Sequence, residues 1–278
     1  MFKNCEGESV TRMESCSLAA VRRVGAMLDL DPGVLVEGDP LPRGWQFILL
    51  GADTRRSDLR SDGFPGLGVP MPDLGLPRLL LGGRTVDYCH DIPIGSMVKR
   101  VSRITSLTRK TAAQGDMAVV TIAHELHVPA ASTAAIVETQ TYILLSEKNS
   151  AVEPDGMPQA VSAERSTIVT PDETLLFQYS ALGFNSHKIH IDKAYARDVE
   201  GFPDLVVNGG LVTLLLTEFL RTDLNLIPMR FRTKHLAPLF CGRPITLAAD
   251  RDGNAWRLRA YNDAGKIAAE MEVYTNEL

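Results

Sequence analysis

The chain has 278 residues, of which 45% are apolar, and a formal net charge of −5. This length suits one large domain or two of ordinary size, with enough apolar residues to bury a core. The negative charge argues against a nucleic-acid-binding protein, because such domains carry a strong positive excess.

The first residues and the cysteines predict a cytoplasmic protein without a metal. Residues 1–8 lack the apolar core of a signal peptide, and the best apolar run, at 211–216, is too short to span a bilayer. The four cysteines show no CxxC spacing, and the histidines are not arranged around them like zinc ligands. We therefore expect reduced thiols, no structural metal and no membrane partner.

Strand-like segments fill the end of the first half of the chain. Apolar and β-branched residues predict strands at 97–104, 117–126 and 135–144. The stretch before them, 51–77, is dense in glycine and proline and predicts an irregular loop.

A polar stretch divides the chain. Residues 146–164 contain two prolines and a glycine, which is typical of a linker. We place the linker at 151–164, between an N-terminal domain at 1–150 and a C-terminal domain at 165–278.

The two halves share an order of features, which predicts two domains of one fold. Each has a Gly-Gly pair, then proline and glycine, then hairpin-like strands and a closing Glu-x-x-x-Tyr strand, at 138–142 and 270–274. In the second half, strands are predicted at 245–249, 255–261 and 267–274.

The intervals after the two glycine pairs differ. Gly82 lies 11 residues before Pro93, whereas Gly209 lies 29 residues before Pro238. Only the second half has room for a long apolar helix after its glycines, predicted at 211–224. We expect the first half to be a degenerate copy that uses another helix and shapes a substrate pocket.

A short segment in the second half concentrates groups that can transfer protons. His187 and His190 lie three residues apart and follow Asn185, and Asp192 can cap the short helix that Gly201 ends. Because histidine gives or takes a proton near neutral pH, His190 is a candidate general acid or base.

The glycines that begin the apolar helix predict an anion site. Gly209 and Gly210 follow Asn208, so their unpaired N–H groups lie at the positive end of the helix dipole. Such donors suit the negative oxygen of a forming thioester enolate. Together with His190, they predict addition of water to an acyl thioester, or its loss.

The same residues resemble the type 2 hydroxyacyl-thioester dehydratases, which are MaoC-like proteins. The resemblance rests on 179–192, 195–203 and 205–207. In the first half, the segments Leu41-Pro42-Arg43-Gly44-Trp45, Asp62-Gly63-Phe64-Pro65, Leu76-Pro77-Arg78 and Gly82-Gly83 resemble the branch that is similar to itaconyl-CoA and mesaconyl-C4-CoA hydratases.

This resemblance implies an α+β double hot-dog fold, in which two tandem hot-dog domains wrap antiparallel sheet around a central helix. It also implies a hydro-lyase that reversibly hydrates a short dicarboxylic enoyl-CoA, such as itaconyl-CoA or mesaconyl-C4-CoA. Coenzyme A enters as part of the substrate, and no other cofactor is expected.

Two departures from the family pattern affect the expected site. MaoC-like hydratases place an aspartate five residues before the catalytic histidine and an asparagine three before it, where this chain has Asn185 and His187. An amide cannot act as a carboxylate base, so the proton transfer falls to His190, with His187 as a candidate to share it. Asn208 and Gly210 replace the family's histidine and proline around Gly209.

Each candidate also has a structural interpretation. His187 could pack beneath the loop, Asn185 could form an Asx turn, and the glycines could serve close packing. Asp192 is interpreted as a cap, or as an orienting partner for His190. We interpret the remaining histidines as structural or solvated: His90, His124, His127 and His235.

A dicarboxylic substrate needs a cation for its free carboxylate, and arginine suits the bidentate geometry. The candidates for the carboxylate or for coenzyme A are Arg78, Arg84, Arg230 and Arg232.

Two rival functions stay open. One is a dehydratase of longer (R)-3-hydroxyacyl chains, and the other is a noncatalytic acyl-thioester-binding hot-dog protein. The exposed sheet edges of this fold also leave a homo-oligomer open.

Overall fold

The computed structural model describes residues 9–112, 115–129, 131–146 and 159–277, and within them one antiparallel sheet dominates. The strands are β1 (Val10–Ser15), β2 (Arg78–Tyr88), β3 (Met97–Ala112), β4 (Gly115–His127), β5 (Ile136–Leu145), β6 (Arg165–Val169), β7 (Leu226–His235), β8 (Ile245–Asp252), β9 (Ala255–Tyr261) and β10 (Ile267–Glu277). The helices are α1 (Leu18–Met27), α2 (Glu173–Leu182) and α3 (Gly209–Thr222).

The strand order repeats about the middle of the sheet. It runs β1-β3-β4-β5-β2 and then β7-β10-β9-β8-β6, so each half places its strands in the same relative order. The halves meet where β2 pairs with β7, with Gly83 opposite Lys234 and Asp87 opposite Arg230. This arrangement confirms the prediction of an α+β double hot-dog fold.

The domain boundaries stay a prediction. The first five strands lie at 10–145 and the last five at 165–277, on either side of the expected linker. Residues 151–158 of that linker, like the N-terminal residues 1–8 with Cys5, lie outside the described residues. Edge strands β1 and β6 end the described sheet, and whether they pair with another chain also stays a prediction.

Helix α3 is the central helix of the second half, as predicted. Every residue from Leu211 to Leu220 is buried, which fits a helix enclosed by the sheet and the first half rather than one lying on a surface. The first half covers it closely: Trp45 donates its indole N–H to Glu218 at 2.7 Å, and a Cβ on Gly44 would lie 2.3 Å from the hydroxyl of Thr217.

The first half uses a different helix, α1, which Ser17 caps by accepting from the N–H of Ala20 at 3.3 Å. The predicted loop at 51–77 is irregular, apart from a short 3₁₀ turn at Arg56–Asp58. The strand order of this half is intact, and whether it is a degenerate copy stays a prediction.

The assumed equivalence of the two glycine pairs is wrong. Gly209 and Gly210 begin α3, but Gly82 and Gly83 lie inside β2, where the register with β5 shifts between Leu81 and Gly83. A Cβ on Gly83 would lie 2.5 Å from the carbonyl oxygen of Thr233 on β7. Gly83 is thus explained by close approach of two backbones at the junction of the halves.

All six predicted strands fall on described strands, and the prediction for β9 matches its bounds.

No described helix is long and apolar enough to cross a membrane. The described part of the chain contains no cluster of three metal-ligating side chains, and its cysteines, Cys16, Cys89 and Cys241, are free thiols.

Replacing Gly83 with alanine should loosen the junction of the halves. The added Cβ would meet a backbone oxygen that cannot rotate away, and overpacking of this kind costs roughly 1–3 kcal/mol of unfolding free energy. Urea unfolding measures this loss. Gly82→Ala is the matched control, because its Cβ would approach the end of the Ile143 side chain at 3.0 Å, while the backbone oxygen of Thr141 lies at an ordinary contact distance of 3.5 Å; equal stability of the two variants would contradict the close approach.

Candidate active site

A cavity of about 860 Å³ lies where the two halves meet. Strands β2 and β5 of the first half form one part of its wall, and the start of α3 and the end of β7 form another. The segment with the two histidines completes the wall. The cavity therefore depends on the junction between β2 and β7.

His190 lies at the end of a 3₁₀ turn, Lys188–His190, and faces this cavity. Its Nδ1 is 2.7 Å from the carbonyl oxygen of Val206. A carbonyl only accepts hydrogen bonds, so Nδ1 carries the proton and Nε2 keeps a lone pair. Asp192, interpreted as a cap or as an orienting partner for His190, is exposed and accepts from the N–H of Tyr195 at 2.9 Å, as a helix cap.

His187 lies beside His190 in the same wall, with its ring edge-on and the ring centroids 5.4 Å apart. Its Nε2 is 3.7 Å from the carboxylate of Asp62, which belongs to the first half. Burial, and then the positive charge of Arg60, lowers the pKa of His187 to about 4. Burial, and then His187, lowers the pKa of His190 to about 3, so both imidazoles are neutral near pH 7.

Asn185 combines the two interpretations given to it. Its side-chain oxygen accepts from the N–H of His187 at 3.1 Å, which is an Asx turn, and the residue also lines the cavity. The amide thus fixes the turn that carries the histidine pair.

The start of α3 faces the cavity with the glycines that the sequence predicted. Asn208 is the N-cap residue, and its carbonyl accepts the first helical hydrogen bond, from Val212 at 3.0 Å. The N–H groups of Gly209 and Gly210 precede that bond, so they have no helical acceptor. The Asn208 side-chain oxygen is buried and has no hydrogen-bond partner among the described residues.

The candidate arginines separate into two pairs. Arg84 is buried in the cavity wall with its Nη1 3.2 Å from Glu138, and Arg78 also lines the cavity, 3.1 Å from Glu200. By contrast, Arg230 and Arg232 are exposed on β7 and do not line the cavity. The structure therefore does not bring the second pair to this site.

Arg84 stays charged despite its burial. Burial acts to lower its pKa, but Glu138 and neighbouring tyrosines act to raise it, and the net pKa is raised. The Glu138 carboxylate is fixed in turn by the side-chain amides of Gln46 at 2.9 Å and Gln140 at 2.6 Å. The cavity wall thus contains a permanent cation held by a buried network.

His235 and Tyr179 line the cavity but were not among the site residues predicted from the sequence. His235, interpreted as structural or solvated, lies in the cavity wall at the end of β7, with Nε2 3.5 Å from the Thr213 hydroxyl. Its pKa is lowered to about 3 by burial and then by Arg84. The alternation of Phe231, Thr233 and His235 on the inner face of β7 is the signal that could have found it.

Tyr179, on α2, is the second missed residue. Its ring stacks on Phe47 of the first half with centroids 4.6 Å apart, and its hydroxyl lies 2.2 Å from where a Cβ on Gly210 would stand. Burial raises the pKa of Tyr179, so the hydroxyl remains a proton donor beside the start of α3.

The other histidines lie outside the cavity, in agreement with a structural or solvated role. His124 is buried with Nδ1 2.8 Å from the Ser102 hydroxyl, His90 is exposed beside Thr133, and His127 lies near Glu125.

Comparison with known proteins places this chain in a family. A sequence model described as hydroxyacyl-thioester dehydratase type 2 matches residues 44–241. The mesaconyl-C(4)-CoA hydratase of Chloroflexus aurantiacus is 33% identical over 261 residues, or 92% of this chain and 91% of that protein. The mitochondrial hydroxyacyl-thioester dehydratase type 2 of Schizosaccharomyces pombe is 26% identical over 262 residues, or 84% of this chain and 87% of that protein.

A solved structure shows the same fold. The crystal structure of a MaoC-like dehydratase from Phytophthora capsici matches with a TM-score of 0.69 at 11% identity, covering 98% of this chain and 96% of that one.

Replacing Gly210 with alanine should block the start of α3. The new Cβ would overlap the Tyr179 hydroxyl and displace either the helix N–H groups or the tyrosine, so we expect kcat to fall roughly 10- to 100-fold. Steady-state kinetics on an accepted enoyl-CoA checks this. The double variant with Tyr179→Phe removes the overlapping atom and should recover part of kcat; no recovery would contradict the steric explanation.

Acid should destabilise the protein through its buried histidines. Four of them have folded-state pKa values of about 3 to 4 against 6.5 in an exposed chain: His124, His187, His190 and His235. The unfolded state binds more protons below pH 6.5, so stability present above that pH is lost as the pH falls towards 4, by roughly 1 kcal/mol per histidine per pH unit.

Urea unfolding between pH 7.5 and 5 measures this slope. His187→Gln should reduce the slope by the share of one histidine. A flat profile for the unmodified protein would show that the histidines are not held neutral.

Proposed function

Since the chain belongs to the hydroxyacyl-thioester dehydratase type 2 family and is a hydro-lyase acting on acyl thioesters, we propose that it reversibly hydrates a short dicarboxylic enoyl-CoA. Mesaconyl-C4-CoA and itaconyl-CoA are the candidate substrates. The observation that carries this proposal is the buried, charged Arg84 in the same cavity wall as His190 and the start of α3.

His190 is the proposed base. The Val206 carbonyl holds the proton on Nδ1, so Nε2 can remove a proton from water as the water oxygen bonds to the β-carbon. Its low pKa, which burial and then His187 cause, makes it a weak base before substrate binds. The negative charge that develops on the substrate stabilises the imidazolium and offsets this weakness.

The thioester oxygen is the second reacting group. As the new C–O bond forms, electrons move from the double bond to the thioester oxygen, which the N–H groups of Gly209 and Gly210 stabilise. The enolate then collapses as the α-carbon receives a proton, and the base returns to its neutral form. These steps require neither a redox cofactor nor a metal ion.

Arg84 would bind the free carboxylate of the acyl group. Its Nη1 is engaged by Glu138, while its Nη2 lies 3.4 Å from the Cβ position of Gly210, next to the proposed oxyanion donors. A planar guanidinium can bind a second carboxylate through its remaining donors. A short dicarboxylic acyl group would then span the distance between Arg84 and the helix start.

Longer acyl chains are the second candidate substrates, because of the size and walls of the cavity. About 860 Å³ exceeds the needs of a four- or five-carbon acyl group, and aliphatic side chains line much of the wall: Leu79, Leu80, Leu81, Ile143, Leu145 and Val212. An (R)-3-hydroxyacyl thioester of greater length would use this apolar surface.

The first experiment compares substrates. Purified protein is incubated with mesaconyl-C4-CoA, itaconyl-CoA, crotonyl-CoA and a long-chain enoyl-CoA, and mass spectrometry detects the addition of one water. We expect hydration of a dicarboxylic thioester, reduced at least about 100-fold in His190→Ala. Turnover mainly of the long chain would favour the second candidate and contradict the first.

The same assay tests Arg84 directly. Arg84→Met combined with Glu138→Gln leaves no unpaired buried charge, and it should lower kcat/KM for the dicarboxylic substrate roughly 10- to 100-fold, as expected for a lost charged hydrogen bond. Hydration of crotonyl-CoA should persist. Arg232→Met, on the outer face of the adjacent strand, is the matched control and should change neither rate.

A further inference from the structure

A loop of the first half, at Asp62 and Gly63, accepts hydrogen bonds from the turn that carries the histidine pair in the second half. The Ser186 hydroxyl donates to the carbonyl of Gly63 at 2.7 Å, and the N–H of Lys188 donates to the carbonyl of Asp62 at 2.8 Å. Gly63 has a φ of +78°, and a Cβ there would lie 2.5 Å from the Ser186 carbonyl oxygen. His187 lies between these two hydrogen-bonded residues, Ser186 and Lys188. Its position is therefore set by the first half as well as by its own segment.

The same loop brings a carboxylate to His187. The Asp62 side chain is buried, its Oδ1 accepts from the N–H of Phe64 at 2.9 Å, and its Oδ2 lies 3.7 Å from His187 Nε2. Arg60 pairs with the same carboxylate at 3.2 Å. Asn185 offers only an amide to the pair, so Asp62 supplies the acid that this turn lacks.

We propose that Asp62 is a positioning residue that holds the proton of His187 on Nε2 and so leaves the Nδ1 lone pair for proton transfer in the cavity. The inference rests on the proposed hydratase function. The Asp62 carboxylate lies 3.7 Å from Nε2, which is longer than a hydrogen bond, but its negative charge attracts the positive end of an N–H dipole, so a neutral His187 that faces it with Nε2 is stabilised as the Nε2–H tautomer. When His187 takes up a proton, the same negative charge favours the imidazolium.

Other charged and titratable groups also lie around His187. Arg60 opposes protonation of His187, His190 faces it edge-on, and Tyr195 lies near the same acid with its hydroxyl bonded to Glu200 at 3.2 Å. Asp62 is the group in this set whose charge favours the imidazolium and whose side chain faces Nε2.

Asp62→Asn tests the charge, because the amide oxygen can still accept from Phe64. We expect kcat to fall roughly 10- to 100-fold while KM changes less than about threefold, since proton transfer through His187 is weakened and substrate contacts remain. The acid limb of kcat/KM should move to lower pH, because the charge that favours the imidazolium is gone.

Ser186→Ala is the matched control, because it removes a hydrogen bond between the same loop and the same turn and leaves the Asp62 carboxylate in place. It should lower the melting temperature and leave the acid limb of kcat/KM in place, because the Asp62 charge is kept. If Asp62→Asn instead keeps its kcat, or moves the acid limb upward because a loosened site admits water to His187, Asp62 serves only the packing of the loop and the proposal is overturned.

A measurement on the unmodified protein decides the matter even if the variant does not fold. Two-bond ¹H–¹⁵N NMR reports which ring nitrogen of His187 carries the proton. Nε2–H supports the proposal, whereas Nδ1–H contradicts it. The tautomer is independent of turnover, so failure of every enoyl-CoA in the substrate assay would overturn the proposed function without being confused with this result.

Discussion

The pairing of β2 with β7 is the contact on which the rest of the site depends. It joins two five-stranded units into one sheet and sets Arg84 beside the start of α3. It also carries His235 to the cavity at the end of β7. Gly83 is the residue that permits this contact, because the two backbones leave no room for a Cβ. The cavity is thus a property of the junction rather than of either half.

Around that junction the chain buries charges that a simple apolar core would exclude. Arg84 and Glu138 have 8% and 0% of their side chains exposed. A buried ion pair contributes little net stability because desolvation opposes it, but removing one partner is costly. The two glutamines that hold Glu138 reduce that desolvation cost with hydrogen bonds. Such a network is better explained by a need for a fixed cation in the cavity than by stability.

Local patterns explain what could be predicted from the sequence. Runs of apolar and β-branched residues predicted β3, β4, β5, β8, β9 and β10. His190 and Gly209 could be paired because each lies in a short segment with its own chemistry. The features that could not be predicted from the sequence depend on contacts between residues that are distant in the chain. Choosing Arg84 over Arg230 requires knowing which face of each strand turns inward, and linking Asp62 to His187 requires a loop contact across the two halves.

The repeated strand order also has an evolutionary consequence. Strands β2 and β7 hold equivalent places in the two halves, yet β2 carries the buried Arg84 while both arginines of β7, Arg230 and Arg232, are exposed. In a homodimer of single hot-dog subunits, one codon would determine the residue at equivalent positions of both subunits. A buried arginine in one half of the sheet would then require a buried arginine in the other half. Fusion of the halves into one polypeptide removes that coupling, so a symmetric scaffold can carry an asymmetric pocket whose two sides diverge independently.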